Sequence, residues 1–121
     1  NKINIDKIFF YIFHKNDFLI RLFNKNIFSI SEFYVFMSSL KFYINLISES
    51  KNTEEALSKF PRYLFNEKGI FIKIYKKLNS QKLMKIYNNI SRVENVVRKT
   101  PKLYSVVGLR FLLNAKKIIT S

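Results

Sequence analysis

The chain is 121 residues long, 48% hydrophobic and 17% aromatic, enough for one domain with a packed core and too apolar for a disordered chain. Two Gly and two Pro are too few for the tight turns of an all-β domain, so long helices with few connections are expected. The net charge of +14 is uneven: residues 1–60 hold eight Lys/Arg and six Asp/Glu, whereas residues 61–121 hold fourteen and two.

The first residue is Asn1 rather than Met, so a C-terminal piece of a longer protein is expected, forming a single helical domain over 1–121. Ile5 to Phe13 reads as a short apolar helix with Asn4 or Asp6 as its cap. Within it, Ile8 to Phe13 follows Lys2 and Lys7 in the manner of a signal peptide, but it is too short and His14-Lys15-Asn16-Asp17 offers no small-residue cleavage site. After the polar break Lys15-Asn16-Asp17, Phe18, Leu19, Leu22 and Phe23 continue a helical stripe that Asn24-Lys25-Asn26 closes. Ile30, Phe33, Met37, Leu40, Ile44 and Ile47 repeat at spacings of three and four, the seam of a packed helix with Ser29 or Ser31 as its cap. Phe36, Phe42 and Tyr43 widen that stripe, so this helix is expected to be central. Thr53 caps a short helix with Glu54 and Glu55 in its first turn, where the helix dipole favours them. Pro61 ends it and opens an aromatic connector to Phe65. Asn66 to Gly69 reads as a turn. Ile70 to Leu78 alternates like a strand but also fits a helix, and without a second strand to pair with, helix is the better reading. Ser80 then caps a helix to Lys99, with Leu83, Ile86, Ile90, Val93 and Val97 on one face and Lys82, Lys85, Asn89, Arg92 and Lys99 opposite. Thr100-Pro101 starts the last helix, Lys102 to Ile118. Leu103, Val106, Val107, Leu109, Phe111, Leu112 and Leu113 make it apolar nearly all round, which predicts burial, and Gly108 marks a close helix approach.

No constellation with chemistry emerges, so catalytic, cofactor-binding and metal-ligating residues are all expected to be absent. His14 is alone and there is no cysteine, so metal ligation, disulfides and thiol chemistry have no donors, which fits a cytoplasmic protein. Glu54 and Glu55 are neighbours and point apart on a helix, a poor acid/base pair. Gly69 and Gly108 are isolated, so no phosphate-binding loop exists. No apolar run approaches the roughly 18 residues of a membrane helix. The basic half has two readings. It is an electrostatic footprint for nucleic acid, with Tyr63, Tyr75, Tyr87 and Tyr104 as stacking groups. Alternatively it reflects codon bias, because 17 Lys against 5 Arg, with abundant Ile, Asn, Phe and Tyr, is what an AT-rich genome produces. Glu94 and Arg98 stand at i, i+4 and are expected to pair.

The order of parts resembles the C-terminal domain of the delta-subunit family of bacterial DNA polymerase III. The resemblance is carried by the broken first helix pair, the long helix over Ser31 to Ser48, Thr53-Glu54-Glu55-Ala56, the Pro61 to Phe65 connector, Lys68 with Phe71, and Glu94 with Arg98-Lys99. Asn16 and Asn52 stand where that family favours glycine. The resemblance implies an all-α, compact bundle of about six to seven helices of the clamp-loader collar type. It implies no catalytic activity and no cofactor in this segment. The partners would be the collar domains of the other clamp-loader subunits, in the machine that places the sliding clamp on primed DNA, with the sliding clamp itself met by an N-terminal module outside this segment. Two other classes fit the composition: a stand-alone basic helical nucleic-acid-binding module, and an amphipathic helix lying on a membrane surface.

Overall fold

The computed structural model describes residues 4–121, so Asn1 and Lys2, which entered the expectations above, lie outside it. The described chain is all-α with no strand: a 3₁₀ segment Ile5–Tyr11 (η1), then α1 (Asn16–Asn26), α2 (Ile30–Glu49), α3 (Thr53–Ser58), η2 (Arg62–Glu67), α4 (Lys68–Lys77), α5 (Ser80–Lys99), η3 (Pro101–Leu103) and α6 (Tyr104–Thr120).

The 3,4-spaced seam makes α2 the spine of the bundle. Phe33, Met37, Leu40, Ile44 and Ile47 are buried on it, and Phe36 and Tyr43 extend the buried stripe. It packs against η1 on one side and against α5 and α6 on others, as its wide apolar stripe predicts. Phe42 departs from that reading and is 48% exposed.

Helix starts follow the short polar residues, displaced from the predicted positions by one residue in two cases. Ser29 caps α2, its Oγ accepting from the Glu32 amide at 3.3 Å. Asn52 rather than Thr53 caps α3, accepting from the Glu55 amide at 2.9 Å. Asn79 rather than Ser80 caps α5, accepting from the Lys82 amide at 2.8 Å. In both corrected cases an Asn immediately precedes the weaker hydroxyl residue, and its carboxamide reaches the N3 amide; such a cap contributes about 1 kcal/mol. Neither Asn4 nor Asp6 caps η1 through its side chain in the expected way: Asn4 holds the cap position without a side-chain hydrogen bond. Asp6 instead joins elements. Its backbone carbonyl accepts the Tyr43 hydroxyl at 3.1 Å, and its carboxylate accepts the Tyr63 hydroxyl.

The connector is more ordered than a linker. Pro61 leads into η2, which runs directly into α4 at Lys68, so Asn66 to Gly69 is not a turn. Gly69 sits in the first helical turn without a positive φ. Phe60 and Leu64 are the residues that fasten this stretch: Phe60 stacks on Phe71 at 4.5 Å between ring centroids, and Leu64 is fully buried. Phe65 stays half exposed, with the Lys68 ammonium 4.3 Å above its ring. Ile70 to Leu78 resolves as helix because Phe71 and Ile74, three residues apart, are both fully buried.

The last helix is buried on one face only. Gly108, Phe111, Leu112, Ala115 and Ile119 point inward, whereas Val106 is 60% exposed and Leu103 36% exposed. Gly108 is the close approach expected of it. A Cβ there would lie 2.9 Å from Phe23 Cζ and 3.1 Å from the Phe33 ring, so α6 meets the aromatic edge of α1 and α2 only because that Cβ is missing.

Candidate interaction surfaces

Two surfaces stand apart from the packed interior. The first is an apolar cleft between η1, α2 and η2. Val35 and Phe42 lie two turns apart on one edge of α2, and Phe28 precedes the same helix; they are 50%, 48% and 58% exposed. Tyr63, 65% exposed, lies with Val35, Phe42, Pro61 and Ile5 around a cleft of about 670 Å³. The two carboxylates on this side are engaged internally. Glu32 accepts the Phe28 amide at 2.5 Å. The Asp6 carboxylate raises the Tyr63 hydroxyl to a pKa of about 12, chiefly through their hydrogen bond and secondarily through burial. Burial, with the Asp6 charge behind it, pushes the Tyr43 hydroxyl well above the ordinary phenol value. Asn26 lines the cleft almost fully buried. Its Nδ2 donates to the Leu22 carbonyl at 2.8 Å, and its Oδ1 meets no donor among the described residues.

The second surface is the outer side of α5 and α6. The apolar face predicted for α5 is correct: Ile86, Ile90 and Val97 are buried, with Leu83 and Val93 packed beside them. The opposite face carries both engaged and exposed cations, with Lys85 and Lys99 among the exposed. Lys82 is half-buried and donates to the Ser121 carbonyl at 2.8 Å and the Lys77 carbonyl at 3.3 Å, so it fastens the ends of α6 and α4. Lys116 does the same at the first polar break, donating to the His14 carbonyl at 2.5 Å and Asn16 Oδ1 at 2.9 Å. Lys73 stands 4.1 Å over the Phe13 ring. Arg92, Arg98 and Arg110, in contrast, are exposed. Arg92 and Arg110 flank a groove of about 290 Å³ between α5 and α6, floored by Val93, Val96, Val107 and Phe111. Arg92 also shares a shallow hollow on α5 with Arg98, Glu94 and Asn95.

The expected Glu94–Arg98 pair does not form. Glu94 reaches across to Lys41 on α2 at 2.9 Å, and Arg98 leans on Asn95 Oδ1 at 3.5 Å. The long-range pair wins because Glu94 faces α2 from the half-buried edge of α5, a partner that i, i+4 spacing does not reveal. The stacking role for tyrosines also recedes. The Tyr75 hydroxyl donates to the Ser50 carbonyl at 3.1 Å, Tyr87 donates to Asn45, and Tyr104 packs edge-on to Phe33. His14 stacks beside Phe18 at 4.7 Å between centroids. Glu55 serves the start of α3, accepting the Lys51 amide at 3.2 Å. Among the described residues no group of three His, Cys, Asp or Glu converges as a metal site. No described helix is long and apolar enough to cross a membrane.

No protein-family model, curated protein or solved structure matches the chain.

Proposed function

We propose that this chain is a non-catalytic assembly domain, the helical collar domain of a clamp-loader delta subunit of the DNA polymerase III type. In that role it joins the collar domains of neighbouring subunits and holds together the machine that places the sliding clamp on primed DNA. The observation that carries the assembly reading is the exposed apolar pair Val35 and Phe42 on one edge of α2, lining a cleft with Tyr63. Apolar side chains aligned on one edge of a central helix gain about 25 cal/mol per Å² when a partner covers them. Aromatic groups in such a setting are the residues on which interface energy concentrates. The assignment to the delta family rests on the order of parts: a broken first pair, a long central helix, a short Glu-Glu-Ala helix, a proline connector and two final helices.

The test is reconstitution. Mixed with the helical domains of the other clamp-loader subunits, the chain is expected to elute with them as a complex in size-exclusion chromatography. A chain that remains monomeric in every such mixture overturns the reading.

A further inference from the structure

We propose that the α5–α6 groove and the adjoining hollow on α5 bind a nucleic-acid backbone, with Arg92, Arg98 and Arg110 as the phosphate-binding groups. This inference does not depend on the collar reading.

Three observations converge on it. Codon bias accounts for abundant lysine but not for where arginine stands. Only 5 of the 22 basic residues are Arg, and three of the five, Arg92, Arg98 and Arg110, line the adjoining hollows of this one side. Guanidinium is the group whose planar fork matches phosphate oxygens. The second observation is that these arginines are free of carboxylates; two lysines on this side are engaged, while Lys85, Lys99, Lys102 and Lys117 are exposed as the arginines are. Lys82 and Lys116 hold helix-end carbonyls. Arg92 and Arg98 touch only side-chain amides, Asn89 at 3.2 Å and Asn95 at 3.5 Å, and among the described residues no carboxylate pairs with them or with Arg110. The single acid in the hollow, Glu94, is drawn off to Lys41. The third is the lining of the groove, where Asn89 and Asn114 alternate with Val93, Val96 and Val107. Amide donors suit phosphate and sugar oxygens, and the valines suit the apolar edge of a sugar.

An acidic protein face would also attract arginine. The charge of the half argues for the polynucleotide: fourteen cations against two acids over residues 61–121 complement a uniformly charged, extended anion. Protein surfaces mix both signs.

The test is fluorescence anisotropy of the full chain with a short fluorescein-labelled DNA, single-stranded and duplex, over increasing salt. Binding is expected to at least one form, with log Kd rising against log salt at a slope of about 2 to 3. R92E/R98E/R110E is expected to weaken it more than about tenfold and to remove most of that slope. A control with the same change of charge, Lys25, Lys51 and Lys76 each replaced by Glu, leaves the groove intact and is expected to stay within about threefold. R92K/R98K/R110K keeps the charge and the fold but loses the fork, and is expected to fall between the two. Absence of binding at low salt overturns the proposal. So does an equal loss in the lysine control, which would mean diffuse attraction, or equally tight binding of labelled polyglutamate, which would mean an acidic protein partner.

Discussion

On the side formed by η1, α2 and η2, charge is tied inward and apolar surface is left open. Asp6 holds Tyr63, Glu32 holds the Phe28 amide, and Val35 and Phe42 face outward. On the side formed by α5 and α6 the charge is not tied inward: although Met84 and Val106 are exposed, the larger apolar groups are in the core, and Arg92, Arg98 and Arg110 stand free of carboxylates. The contrast matters because the two kinds of surface respond to different variables. Apolar burial is nearly indifferent to moderate salt, whereas attraction between exposed charges is screened over about 8 Å at physiological ionic strength. Salt and substitution together therefore separate the two surfaces.

The largest effect is expected from V35D/F42D. Each change places a charge in the middle of the apolar stripe and is expected to cost subunit binding about 2 kcal/mol, so that Kd of the reconstituted complex rises roughly a thousandfold for the pair. Both sites are half exposed, and the stability of the free chain is expected to change by less than about 0.5 kcal/mol at each. DNA anisotropy of the same variant should be unaltered except for the reduced net charge. Subunit binding that survives the double change would move the assembly surface elsewhere.

The next effect tests the seam between the two sides. α6 carries Arg110 of the arginine surface yet rests on Phe23 and Phe33 of the other half through Gly108. Gly108→Ala drives a Cβ into rings that are themselves fully buried. Overpacking costs about 1–3 kcal/mol, and the better helix propensity of Ala returns about 1 kcal/mol, so a net loss of up to about 2 kcal/mol in urea unfolding is expected. Gly69→Ala meets nothing within 4 Å and is expected to raise stability by about 0.5–1 kcal/mol. Two glycines, each inside a helix, thus have opposite predicted signs.

The periodicity of α2 and α5 made the spine and the inner face of the basic helix legible from sequence, and the lone interior Gly108 pointed to the close approach. What escaped sequence reasoning was governed by contacts between distant residues. Nothing local says that Phe42 faces solvent while Phe36 is buried, because both widen the same stripe; the packing of η1 and η2 decides it. The burial of the last segment was overestimated because Leu103 on η3 and Val106 on α6 are apolar without being covered. The basic half was visible as a charge imbalance, but which of its cations fasten helix ends, as Lys82 and Lys116 do, was not. That depends on where helix ends lie, as for Lys82 beside the carbonyls of Lys77 and Ser121. One signal was available: arginine scarcity makes each position where it persists informative.

Lys41–Glu94 is a second tie between the sides, joining α2 to α5 at 2.9 Å. The Lys41 side chain is 41% exposed and that of Glu94 19%, so screening limits the pair to about 0.5–1 kcal/mol. Glu94→Gln is expected to lower stability by that amount, with a smaller deficit at high salt. It also removes the one carboxylate in the hollow shared by Arg92 and Arg98. DNA affinity should therefore rise slightly while stability falls, a combination that a purely structural role for Glu94 would not produce.

The smallest effect lies at the apolar cleft, where Tyr63 is the titrating group. Its hydroxyl is raised to about 12 first by the hydrogen bond to Asp6 and then by burial, against about 10 for a free phenol. The folded chain therefore keeps this proton at a pH where the unfolded chain has lost it. The contribution to stability is complete below about pH 10 and declines as pH rises toward 12. Near-ultraviolet absorbance of wild type minus Tyr63→Phe is expected to show a phenol ionising close to pH 12. Asp6→Asn removes the charge and weakens the acceptor, so the same transition should move back toward 10. If Tyr63 titrates normally in the wild type, Asp6 does not hold it. The η2 wall of the cleft would then rest on the buried Phe60 and Leu64 without a polar tie to η1.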